Sequence, residues 1–387
     1  MRGAGLPGDL TKIRHELHRR AELSGTEIRT ADFLCTTLTA CRPDQLLTGL
    51  GGHGLAGVFE GRRSGSTVVL RCDTDALPLP DRPDLAYQSE AESVSHKCGH
   101  DGHMTMMLGV AQQLAQARPE QGRAVLLFQP AEETGAGARA VLDDPAFARL
   151  LPEISLGLHN LPGFPLGAVV LREGAFTAAS RGLTISLTGT SSHAAEPEAG
   201  RSPAPAAAAL VQALSALPQL EPGLSEPAKV TVVGIAVGGP AFGTSPGAGQ
   251  VMATLRAFSD VAMERLSRRC ADLVAGIAAA HGLGWDLTWS EDFPATVNDP
   301  WVVAAVETAA VAGGLSVVRP AAPFAWSEDF GHFTAAGPGA LVGLGAGLEQ
   351  PPLHHPDYDF PDALLSVGVD FWHSILHHLL SQTYGKE

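Results

Sequence analysis

The run His96-Lys97-Cys98-Gly99-His100-Asp101-Gly102-His103 sets a thiol and an imidazole two residues apart in a glycine-rich stretch. In a loop or extended segment, Cys98 and His100 can turn toward one metal ion, whereas on a helix they diverge. The same spacing also fits a buried loop cysteine beside a surface histidine. Glu132-Glu133 closes the apolar run AVLLF through QPAEE. Adjacent carboxylates in an extended segment point to opposite sides, so one can hold a metal while the other faces a substrate. A solvated acidic turn has the same local pattern. His159 follows ISLGL, and His354 lies in PPLHHPDYDF after ALVGLG. Each alone is explained as well by a hydrogen-bonded histidine as by a ligand. Together they are a set that solvated surface does not explain, and mixed S, N and O donors suit ions such as Zn²⁺ and Mn²⁺.

What unites these residues is the element that must carry them. TVVL (67–70) runs into Arg71-Cys72-Asp73-Thr74-Asp75, and ISLGL (154–158) runs into His159-Asn160. Short continuous apolar runs between helix-like segments read as strands buried on both faces of a mostly parallel sheet. GHMTMMLGVAQQLAQA (102–117) spaces Met104, Met107, Leu108, Ala111 and Leu114 as one helix face, which leaves Cys98 and His100 in the loop before it. Ligands of open α/β sheets sit beyond the carboxyl ends of the strands, where the polar clusters fall. From about 178 to 292 the rhythm changes. GLTISLTG alternates, a Pro- and Ala-rich helix (203–217) follows, then KVTVVGIAVG, QVMATLRAF, a long helix from Asp260, and GWDLTWS. That order is a split βαβ, ferredoxin-like module. The expected organisation is therefore an α/β domain over 1–177 and 293–387, interrupted by an inserted domain at 178–292.

The totals narrow the field. A chain of 387 residues exceeds what one hydrophobic core usually serves. Lys and Arg number 26 against 41 Asp and Glu, for a net charge of −15, which disfavours nucleic acid and anionic membrane as partners. MRGAGLPGDLTKIRHELHRR lacks the apolar core of a signal peptide, and no run reaches the length of a membrane span. Five scattered cysteines without a CxxC pair fit a reducing cytoplasm. Two motifs are set aside. Gly49 to Gly54 matches GxGxxG but leads into the strand-like LAGVFEG, and His15-Glu16-Leu17-His18 spaces its histidines three apart, as on an ordinary charged helix face.

At this point the chain resembles the aminoacylase/carboxypeptidase family of two-metal peptidases, in the amidohydrolase branch of hippurate hydrolases, auxin-conjugate hydrolases and N-acetyl-diaminopimelate deacetylases. The motifs stand in family order across nearly the whole chain: LRCDTDALPLPD, HKCGHDGHMTMMLGVA, FQPAEETGAGARAVL, GLHNLPGFPLG, SSHAAEPEAGRSP, TVND, WSEDFGHF and LHHPDYDF. The resemblance implies a zinc-peptidase-like catalytic domain with an inserted lid and dimerisation domain. It further implies two divalent ions (Zn, Mn, Co or Ni), with Cys98 as bridging thiolate and His100, Glu133, His159 and His354 as the other ligands. Glu132 takes the place of the general base, Asp75 that of its partner carboxylate, and His193 that of a lid histidine reaching a neighbouring subunit in a homodimer. Arg256 matches an arginine proposed to hold the substrate carboxylate, and Asn160 is a second substrate candidate. His355 stands where the family usually has Ser, so His354 is the expected ligand. One departure is Gly243, in GGPAFGTSP, where the family carries Asn, which suggests a specialised substrate. The implied reaction is hydrolysis of a small N-acyl amino acid or related amide. A dipeptidase or carboxypeptidase, or a non-catalytic metal-binding homologue, is the alternative.

Overall fold

The computed structural model describes residues 9–220 and 226–382, so part of the segment read for a signal peptide, residues 1–8, lies outside the described residues. Two compact units emerge: one comprises the residues up to Phe176, Thr296–Ala322 and those from Asp329 onward, the other Thr177–Ala295 and Pro323–Glu328.

The first unit is built on an eight-stranded mixed sheet. At its centre the strands Arg123–Gln129, Thr67–Asp73, Ile154–Pro162 and Gly339–Gly347 lie side by side and parallel. Every residue of Thr67–Asp73 is buried, as are Ala124 to Phe128 and Ala340 to Ala346. Their apolar side chains meet helices on both faces, which is why these segments read as unbroken hydrophobic runs. The helix His100–Gln116 contributes Met104, Met107, Leu108, Ala111 and Leu114 to this core, and Leu364–Ser381 contributes Phe371, Trp372, Ile375 and Leu376. Full burial of each such side chain contributes about 1.5–3 kcal/mol. Asp299 starts the helix Pro300–Ala312 by accepting from the amides of Trp301 (2.9 Å) and Val302 (3.1 Å), with Pro300 at the first helical position. The GxGxxG match is the turn of an antiparallel hairpin between Gln45–Leu50 and Gly54–Glu60.

In the second unit, four antiparallel strands lie in the order Ala228–Val237, Ala248–Ala257, Ala179–Thr188, Gly284–Phe293. Leu183, Ile185 and Leu187 alternate inward with Val251, Ala253 and Leu255. The helices Ala204–Leu220 and Asp260–Ala280 cover that face through Leu210, Leu214 and Leu217 and through Leu266, Cys270 and Val274. Pro323–Glu328 joins this unit through a bridge from Thr177 to Phe324 and a bond from the Ala178 amide to the Trp326 carbonyl (3.0 Å). Among the described residues, no helix is long and apolar enough to cross a membrane.

Candidate metal centre

The carboxyl ends of the four parallel strands, with the loops that follow them, carry the candidate residues. Thr67–Asp73 leads to Asp75, Arg123–Gln129 to Glu132-Glu133, Ile154–Pro162 bears His159, and Gly339–Gly347 leads to His354. The fifth contributor is the segment before His100–Gln116. Gly99 takes φ 91°, the left-handed region, and the helix begins at His100, two residues earlier than the apolar spacing indicates. His100 is therefore helical, not a loop residue, and Cys98 alone stays outside. A Cβ at Gly99 would lie 2.6 Å from Asn160 Oδ1 and 2.8 Å from Tyr358 Oη, so only glycine allows this approach.

Donor atoms converge in overlapping sets, each within 4.8 Å, three of which are Cys98, His100 and His159; Cys98, Glu133 and His354; and His100, Glu132 and Glu133. Cys98 belongs to two of them, and its Sγ lies 3.5 Å from His159 Nε2. His100 Nε2 lies 3.8 Å from Glu133 Oε1 and 4.0 Å from Glu132 Oε2, and His354 Nε2 lies 3.8 Å from Glu133 Oε2. His354, not His355, joins the group. His355 is exposed, and its Nδ1 accepts from the Asp357 amide (3.1 Å). His354 is held in the left-handed region at φ 65°, its amide donating to the Lys97 carbonyl (2.8 Å).

Hydrogen bonding sets the histidine tautomers. His100 Nδ1 donates to the Asp75 carbonyl (2.9 Å), and His159 Nδ1 donates to the Asn160 carbonyl (2.9 Å). A carbonyl only accepts, so each Nδ1 carries a proton and Nε2 is the nitrogen each ring turns to the cluster. The Nε2 of His100 is buried and has no hydrogen-bond partner among the described residues. Burial, then the nearby His103 and His100, pull His159 down to about 3, which keeps it neutral. Burial pulls His100 the same way, but the carboxylates of Asp73, Asp75 and Glu133 outweigh it and raise His100 to about 10. A thiol, three imidazoles and a concentration of carboxylates fit a pair of borderline-soft divalent cations. Asp75 is buried, accepts from Ser24 Oγ (2.7 Å) and the Glu133 amide (2.9 Å), and brings its carboxylate within 3.4 Å of His100 Nδ1.

Several supporting residues escape a reading of the sequence. His103 donates to Asp73 (2.6 Å) and meets the Asn160 side chain, which also donates to Tyr358 Oη. Asn160, expected to meet substrate, is thus wholly buried with both ends of its amide engaged. A helix starting at His100 puts His103 one turn away on the same side, and that start was the signal needed. Arg71 bridges Asp73 (2.8 Å) and Asp329 (2.7 Å) in full burial. The His15–His18 stretch also departs from an ordinary charged helix face. His18 is buried between Asp101 (2.8 Å) and Asp81 (3.0 Å), and Arg14, one turn earlier, reaches Asp101 and Asp359 (both 3.0 Å).

The remaining candidates lie in the second unit. His193, exposed, sits on the short strand Ser192–His193 opposite Thr244. Its Nδ1 accepts from the Ala195 amide (3.1 Å), so Nε2–H is the donor of the neutral ring. Arg256 donates to the Ala325 carbonyl (2.9 Å) and Ser327 Oγ (2.8 Å), and burial lowers its pKa. The Gly243 carbonyl accepts from the Ala194 amide (2.9 Å), and a Cβ at Gly243 would meet nothing within 4 Å.

Comparison with known proteins agrees with this picture. A model of peptidase family M20/M25/M40 matches residues 69–378. The hippurate hydrolase of Campylobacter jejuni is 31% identical, over 95% of this chain and 95% of its own. The N-acetyl-L-cysteine deacetylase of Bacillus subtilis is 30% identical, over 97% of this chain and 89% of its own. The crystal structure of the Bacillus subtilis YXEP protein, a dinuclear metal binding peptidase from the M20 family, matches with a TM-score of 0.81 at 26% identity, covering 96% of this chain and 98% of that one. The family match runs through all four strands that bear the cluster, and the chain belongs to peptidase family M20/M25/M40 as a metal-dependent hydrolase of amide bonds.

Proposed function

We propose that this protein hydrolyses the amide bond of N-acyl amino acids, with Cys98, His100, Glu133, His159 and His354 holding two divalent ions and Glu132 as general base. The observation that carries the reading is the membership of Cys98 in two donor sets, beside the buried Glu132. When bound there, the ions supply Lewis acidity, polarising a carbonyl and lowering the pKa of water. Glu132 removes a proton from the attacking water and passes it to the leaving amine. Asp75 keeps the His100 ring oriented through its carbonyl and carboxylate. His193 donates from Nε2 to the developing oxyanion, and Arg256, with no carboxylate partner among the described residues, holds the substrate carboxylate. Asn160 acts on the substrate side only indirectly, by fixing His103 and Tyr358.

In this reading residues 1–177 and 293–387 form the catalytic domain, and 178–292 a lid and dimerisation domain that delivers His193 to a neighbouring subunit. The five cysteines, scattered along the chain with no CxxC pair, favour a reducing cytoplasm. The names of the hippurate hydrolase and the N-acetyl-L-cysteine deacetylase support an acyl amino acid as substrate. The open space at Gly243, beside the His193 strand, favours an acyl or amine group different from theirs. The test is a panel of N-acetyl and N-benzoyl amino acids and dipeptides, given to protein reconstituted with Zn²⁺, Mn²⁺, Co²⁺ or Ni²⁺. Turnover of the N-acyl compounds at higher kcat/KM than dipeptides is expected. Preference for dipeptides, or no turnover of any N-acyl compound, would refute the assignment.

A further inference from the structure

Glu27 has an unusual place. It precedes the helix Ile28–Ala40 as its capping residue, yet its side chain makes no capping bond to that helix. It is 1% exposed, and a carboxylate is costly to bury without a specific partner. The partner lies far along the chain: Glu27 Oε1 accepts from the amide of Ala131 at 2.8 Å. Ala131 has φ 53°, a left-handed conformation that opposes its Cβ, and it stands immediately before Glu132-Glu133. Strain of this kind persists only where the surroundings over-determine it, and it gathers at functional sites.

The rest of the turn is anchored in the same way. The Ala131 carbonyl accepts from the Gly137 amide (3.0 Å), and the Glu132 carbonyl from the Gly135 amide (2.8 Å). The Glu133 amide is held by Asp75 Oδ2, which Ser24 Oγ holds in turn. One short segment, Ser24 to Glu27, therefore secures both the entry of the turn and its second glutamate.

We propose that Glu27 is a positioning residue for the reaction: by accepting the Ala131 amide it holds that residue left-handed and so aims Glu132 and Glu133. The proposal rests on the reading of Glu132 as general base. It concerns the geometry of an acceptor and not the charge of Glu27, which separates it from a general electrostatic effect.

The experiment compares Glu27→Met, which removes the acceptor at similar size, with Glu27→Gln, which keeps a side-chain oxygen. Both are measured in metal-loaded enzyme with the best substrate of the panel. Glu27→Met is expected to lower kcat about 10- to 100-fold with KM within about twofold and bound metal unchanged by elemental analysis. Glu27→Gln is expected to stay within about threefold of the parent kcat. A parent-like kcat in Glu27→Met, or equal losses in Met and Gln, overturns the proposal. If Glu27→Met does not fold, the pair is compared in an Ala131→Gly background, where glycine reaches φ 53° without help. There Met and Gln must agree within about threefold, and a tenfold difference overturns the brace. Glu132→Gln, measured alongside, separates the two readings. Turnover in that variant defeats the base assignment, whereas an inactive Glu132→Gln beside a parent-like Glu27→Met defeats the brace alone.

Discussion

At the scale of single residues, the tautomers of the cluster are the most informative feature. Two buried histidines donate from Nδ1 to backbone carbonyls and so turn Nε2 toward a cysteine and a glutamate. His354 differs, because its side chain is 51% exposed and its position depends on a left-handed backbone and one bond to Lys97. Loss of a residue that merely supports a ligand typically weakens metal binding about 10- to 100-fold, and loss of a ligand costs at least as much. His354→Ala is therefore expected to weaken binding of one of two ions by at least about tenfold, and His355→Ala to leave both unchanged. Calorimetric titration of metal-free protein with Zn²⁺ checks this, and equal effects of the two substitutions would remove His354 from the ligand set.

At the scale of elements, the first helix binds together loops that are distant in sequence. From Leu10–Arg19, Arg14 and His18 reach Asp101, beside the proposed ligand His100, and Asp81 and Asp359 in two other loops. Burial disfavours a charge on His18, but its bonds to Asp101 and Asp81 outweigh this and raise it to about 9. A folded-state pKa above the unfolded value of about 6.5 contributes stability that is fully present below pH 6.5 and lost as pH rises through 9. Urea midpoints should fall between pH 6.5 and 9.5 by the equivalent of about 1–3 kcal/mol. In His18→Gln the fall should be markedly smaller, the share from the raised His100 remaining. An unchanged pH dependence in the variant would place the titration elsewhere.

At the scale of the molecule, the two units divide the proposed labour: donors for metal lie in the first, His193 and Arg256 in the second. If His193 acts on a neighbouring subunit, two inactive variants complement each other. His193→Ala supplies an intact metal centre and Glu132→Gln an intact lid. In a symmetric dimer with free exchange, half the dimers are mixed and each holds one complete site, so about a quarter of parent activity returns. Co-expression of the two tagged chains checks this. Activity in His193→Ala alone, or none in the purified mixed dimer, contradicts action between subunits.

Much of this protein was legible in its residues. The four parallel strands show as unbroken apolar runs because they are buried on both faces, and each ends in polar residues because the strand ends form the site edge. Glu132, Glu133, His159 and His354 stand out for the same reason, and Cys98 and His100 by their spacing in a glycine-rich stretch. The inserted module shows in its alternating strands, whose outer faces meet solvent. The resemblance already favoured His354 over His355; tertiary structure alone decided that the helix begins at His100 and so aligns His103. It alone placed His18 and Arg14 inside and brought Glu27 to Ala131. These outcomes depend on polar groups meeting across long stretches of chain. Local periodicity encodes which face of a segment is buried, but not which distant donor or acceptor awaits there; that is set when all the segments pack at once.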